Sequence, residues 1–68
     1  MVKLDLLNDK IKDSGMTVVS IAKKTGVSRE TLYNKLNGSV EFKASEILSI
    51  SDALSLSVEE RNEIFFAR

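Results

Sequence analysis

The residues with the most chemistry to offer lie between positions 29 and 37. Arg29, Glu30, Tyr33, Asn34 and Asn37 recur at intervals of three and four, so on a helix they share one face. Each can hydrogen-bond to a flat partner met edge-on. A guanidinium donates to guanine O6 and N7 together, a carboxamide pairs with adenine N6 and N7, and a carboxylate accepts from cytosine N4. Such a face suits base edges in a major groove. The plain alternative is a solvated helix surface. Competing covalent chemistry is poorly supplied. The chain has no Cys and no His, so the commonest zinc ligands and the usual general base are absent. Its Ser and Thr residues have no nucleophile–base–orienter set around them. The reading is a binding protein: not an enzyme, with no cofactor, no metal and no small-molecule substrate.

Five helices are needed to position that face, and an all-α fold follows. The first covers about Lys3 to Ser14, with Leu4, Leu7 and Ile11 in line and Gly15 at its end. The second starts at the Thr17 cap, where Met16 and Ile21 are spaced as a hydrophobic staple, and stops at Gly26. The third repeats the device with Ser28 as cap, Val27 and Leu32 as staple, Leu36 on the apolar face and Gly38 as stop. The turn Thr25-Gly26-Val27-Ser28 must be sharp, and Gly26 supplies positive φ without steric cost. Ala22 is small enough to let the third helix approach closely. A fourth helix spans Ala44 to Ser55 without a good cap at its start. The fifth opens on the capping box Ser57-Val58-Glu59-Glu60 and runs to the C-terminus.

With 68 residues, the chain is a single domain over 1–68 with a thin core. Asp5 interrupts the early apolar run that a signal peptide would need. Ile64-Phe65-Phe66-Ala67 is too short to span a membrane. A cytoplasmic protein is expected. Net charge is zero, yet residues 23–43 carry Lys23, Lys24, Arg29, Lys35 and Lys43 against Glu30 and Glu41. Residues 44–68 carry the opposite imbalance. Phosphate binding needs a positive face rather than a positive total.

Residues 17–38 resemble the helix-turn-helix of the Cro and lambda-repressor-like family. The resemblance rests on Ala22, Gly26-Val27-Ser28, Leu32, Leu36 and Asn37-Gly38, and the order of the other helices extends it over most of the chain. Glu63-Ile64-Phe65-Phe66-Ala67 is similar to the ending of very short phage-type regulators. At the start of the second helix Thr17 and Val18 stand where relatives often carry Gln. The resemblance implies a five-helix domain whose third helix reads bases through Ser28, Arg29, Glu30, Tyr33 and Asn34. It also implies phosphate contacts from Thr17, Lys35, Asn37, Ser39 and Lys43, which flank the groove.

Ile64, Phe65 and Phe66 are consecutive and cannot all face one core on an α-helix. Part of the cluster is expected to lie exposed on a monomer, and Ile64, Phe65 and Phe66 are read as a self-association surface, the alternative being that the thin domain wraps them against the first helix. A two-fold homodimer would place two recognition helices about 34 Å apart on a palindromic operator of double-stranded DNA. The function expected is a sequence-specific transcriptional regulator, a phage-type repressor that occupies its operator. The alternative is a protein-interaction module, an anti-repressor or antitoxin-like partner on the same fold. That role would favour an apolar outer face on the third helix.

Overall fold

The structure, a computed structural model, describes residues 2–66, and these residues are all-helical or loop. Among the described residues five helices follow in order: α1 (Leu4–Ser14), α2 (Val18–Thr25), α3 (Arg29–Leu36), α4 (Ala44–Ala53) and α5 (Val58–Arg61). The last runs on into a π-helical turn, Asn62–Phe66. The expected continuation through Ala67 and Arg68 lies outside the described residues.

Local hydrogen bonds explain most of the boundaries. Thr17 Oγ1 accepts from the Ser20 amide at 3.1 Å, and Ser20 Oγ accepts from the Thr17 amide at 2.9 Å, so α2 begins on a reciprocal cap. Ser28 Oγ accepts from the Thr31 amide at 3.2 Å and starts α3. Ser57 and Glu60 make the same reciprocal pair at α5, at 3.1 and 2.9 Å. At α4 only half the device exists: the Glu46 carboxylate accepts from the Lys43 amide at 2.7 Å.

The helix α4 stops at Ala53, short of the expected Ser55. Ser55 takes φ 53°, its amide donates to Asp52 O at 3.1 Å, and the Leu56 amide donates to Ser51 O at 2.9 Å. This is a Schellman ending with serine in the left-handed position normally held by glycine. Between α2 and α3, Gly26 has φ 77° and its amide donates to Ala22 O at 2.9 Å. The left-handed conformation of Gly26 turns the chain out of α2, so α3 starts only a few residues after α2 ends.

One core joins α1 to α4 and the π-helical turn. Leu7 and Ile11 of α1, Ile21 and Ala22 of α2, Leu32 and Leu36 of α3, Ile47 and Ile50 of α4, and Ile64 and Phe65 form it. Here α2 packs on both α3 and α4, while α1 touches α3 and the π-helical turn. Phe42 meets Phe65 edge to face, with ring centroids 5.4 Å apart. The Lys3 amide donates to Ile64 O at 2.7 Å, and Lys10 pairs with Glu60, so α1 is tied to the C-terminal segment twice.

The π-helical turn corrects one expectation. Ile64 and Phe65 are both buried, and Phe66 alone is exposed, at 57%. A wider turn rotates less per residue than an α-helix, so two neighbouring side chains enter the same core. Ile64 and Phe65 therefore belong to the monomer's interior and are not available as a dimer surface.

Candidate nucleic-acid interface

The pattern of α3 divides its side chains cleanly. Leu32, Lys35 and Leu36 face inward, at the i, i+3, i+4 spacing of one helix face. Ser28, Arg29, Glu30, Tyr33 and Asn37 are exposed, and Asn34 is half-buried. Tyr33 is 51% exposed, so it stands beside the polar side chains rather than packing into the domain. Among the described residues, the side chains of Arg29, Glu30, Tyr33 and Asn34 make no hydrogen bond within the chain, whereas Ser28 is committed to its cap and also donates to Thr31 Oγ1 at 2.7 Å. Four adjacent groups are thus left with their hydrogen-bonding capacity directed at solvent.

The structure separates the expected phosphate residues. Thr17, Asn37, Ser39 and Lys43 are exposed. Thr17 keeps its hydroxyl proton while its oxygen caps α2. Asn37 Oδ1 accepts from the Ser39 amide at 2.9 Å, leaving the Asn37 Nδ2 donors uncommitted. Lys35 does not belong with them. It is 3% exposed, and its Nζ lies 2.8 Å from Glu46 Oε1 and donates to Glu41 O at 2.8 Å. An ammonium held this way, on the inward side of α3, cannot meet a phosphate without leaving the core.

The same contacts define the electrostatics. Burial alone would raise the Glu46 carboxyl; the hydrogen bond from Lys35, the Lys43 amide and the two lysine charges outweigh it, and its pKa is lowered. Glu46 therefore stays ionised opposite the buried lysine. Because Lys35 is neutralised internally, the exposed charge of residues 23–43 is Lys23, Lys24, Arg29 and Lys43 against Glu30 and Glu41. The surface surplus is two rather than three.

Sequence reasoning did not single out Lys23. A shallow concavity where α2 meets the start of α3 is lined by Val19, Lys23, Gly26, Val27, Ser28 and Arg29. This brings Lys23 to the edge of the outward face of α3. The two cations are separated by a turn, and periodicity within either helix carries no signal of it. A second groove, of about 460 Å³, is lined by Val2, Leu4, Val40, Phe42 and Phe65, with Lys35 and Glu41 as its polar members. No helix among the described residues is long and apolar enough to cross a membrane.

Residues 3–68 match the family described as "Protein of unknown function (DUF739)". The match takes in nearly the whole chain, and the chain belongs to that family. No curated protein and no solved structure matches it.

Proposed function

We propose that this DUF739 protein is a sequence-specific DNA-binding regulator of the Cro and lambda-repressor-like kind, acting in the cytoplasm. In this reading α2 and α3 form a helix-turn-helix and α3 enters the major groove. The observation that carries it is the outward face of α3: Arg29, Glu30, Tyr33 and Asn34, polar and uncommitted, on a helix whose opposite side is anchored in the core. Arg29 reads a guanine, Asn34 and Glu30 read neighbouring base edges, and Tyr33 contacts a thymine methyl or a phosphate. Thr17, Asn37, Ser39 and Lys43, joined by Lys23, hold the backbone on either side. Binding at an operator excludes polymerase, which makes the protein a repressor.

One chain reads one half-site. The described residues extend 28 Å along their longest axis, less than the roughly 34 Å between successive major-groove faces. A palindromic operator therefore engages two copies, and the exposed Phe66 is the residue of the C-terminal cluster left to meet a second copy.

The test is selection of bound duplexes from a random library, followed by titration of the enriched sequence against salt. An enriched palindrome supports the reading; binding without enrichment, or none, refutes it and points to a protein partner. Arg29→Ala is expected to weaken binding to the selected site by about 1–3 kcal/mol and relax one base-pair position. Equal weakening on random DNA would reassign Arg29 to a phosphate.

A further inference from the structure

The loop between α3 and α4 has no regular structure, yet nearly every part of it is fastened. Its first half is tied by the backbone of α3: Gly38 N donates to Lys35 O at 3.2 Å, and Ser39 N and Val40 N donate to Asn34 O at 2.9 and 3.2 Å. Its second half is tied by side chains. Lys35 Nζ donates to Glu41 O at 2.8 Å and pairs with Glu46 Oε1 at 2.8 Å, and the same Glu46 oxygen accepts from the Lys43 amide at 2.7 Å. One buried ammonium thus connects α3, the loop at Glu41 and, through Glu46, the backbone of Lys43.

We propose that Lys35 is a positioning residue: through Glu41 and Glu46 it fixes the chain from Glu41 to Lys43, and so presents the exposed Lys43 to a DNA phosphate without touching DNA itself. This rests on the reading of the protein as a DNA binder. Its physical basis is pre-organisation, since a cation on a loop already held in place loses less freedom when it binds. Lys35 suits the task because its partners lie on two different elements. The lone cap of α4, the Glu46–Lys43 contact, hangs from the same pair.

The variants Lys35→Met, Lys43→Gln and their combination test it with two measurements. The first needs no DNA. Amide hydrogen exchange at Lys43, whose N–H donates to Glu46, is expected to speed up about tenfold or more in Lys35→Met, while Ile21, Leu32 and Val40 keep their wild-type rates. The second is the salt dependence of operator binding. Lys43→Gln should lower the slope of log K against log salt by about one per bound protomer. Lys35→Met should lower it by the same amount, although no exposed charge has been removed, and the combination should lower it no further.

Three results overturn the proposal. In one, a folded Lys35→Met protein exchanges at residue 43 at the wild-type rate. In another, its salt slope matches that of wild type. In the third, the combined variant loses about twice the slope, which would mean that Lys35 meets a phosphate directly. If Lys35→Met does not fold, Lys35→Gln, whose shorter neutral side chain cannot bridge Glu41 and Glu46, is measured in its place. A wild-type protein that binds no duplex refutes the proposed function, and the exchange data then decide by themselves whether Lys35 fixes the loop.

Discussion

Removing the Glu46 carboxylate should destabilise the domain more than removing the lysine it faces, and removing both should restore part of the loss. In Glu46→Ala the Lys35 ammonium, 3% exposed, keeps only the Glu41 carbonyl. An uncompensated buried charge of this kind costs about 3–5 kcal/mol, and the lost acceptor for the Lys43 amide adds roughly 0.5–1.5 kcal/mol. A domain of this size is stable by roughly 3–10 kcal/mol in total, so the variant stands at the edge of unfolding. Lys35→Met replaces the charge with an unbranched apolar chain. Glu46 can turn to water, its side chain being 16% exposed, at the cost of its bond from the Lys43 amide, worth roughly 0.5–1.5 kcal/mol. The expected change is within about 2 kcal/mol of wild type, in either direction. The combination Lys35→Met/Glu46→Ala should exceed Glu46→Ala alone by about 2–3 kcal/mol, because the orphaned charge is gone. Urea unfolding at pH 7, followed by far-ultraviolet circular dichroism, measures all four proteins. The reasoning is refuted if the combination is less stable than Glu46→Ala, or if Glu46→Ala falls within about 1 kcal/mol of wild type. Should Glu46→Ala be unfolded outright, Glu46→Gln paired with Lys35→Met gives the same comparison.

Other perturbations follow from single features. Gly26→Val places a β-branched residue at φ 77°, where an added Cβ meets nothing within 4 Å. The backbone strain alone costs about 1–2 kcal/mol, and an unchanged Tm would show that the turn tolerates side chains. Ser55→Gly should raise stability by up to about 1 kcal/mol, because glycine accepts the left-handed conformation that serine holds at φ 53°; a lower Tm would refute this. The Lys10 side chain, followed by the Ser57 amide, holds the Glu60 carboxyl down to about 2, against an ordinary 4.5. A carboxyl depressed in the folded state contributes stability that is present above its unfolded pKa and lost as pH falls toward the folded one. Stability should therefore drop between pH 4.5 and 2, and Glu60→Gln should flatten that part of the Tm profile; parallel profiles for the two proteins would count against it.

What the sequence revealed depended on how local the cause was. Thr17, Ser28 and Ser57 announce three helix starts because a cap and its amides lie within one turn. Gly26 marks its turn for the same reason. The end of α4 was illegible because a serine does there what glycine usually does, and only the dihedral reveals it. Lys35 carried two conflicting signals: its spacing from Leu32 and Leu36 put it on the buried face, while its charge put it on the surface. Spacing won, because Glu46 and the Glu41 carbonyl wait across the loop, and neither partner is predictable from helical periodicity. The fate of Ile64 and Phe65 turned on a π-helical turn, whose pitch no pattern of apolar residues specifies. The proximity of Lys23 to Arg29 is likewise a property of the turn between two helices.

The bond from the Lys3 amide to the Ile64 carbonyl also constrains how the protein can be made. A ribosome delivers the chain from its N-terminus, at about 5–20 residues per second. The segment that fastens α1 and supplies Ile64 and Phe65 to the core thus emerges well after α1 itself. Until it does, Leu7 and Phe42 lack a full set of neighbours. The nascent chain therefore carries an incomplete apolar interior until Phe65 has emerged. The core closes only when the segment holding Ile64 and Phe65 meets α1, from which it is distant in sequence.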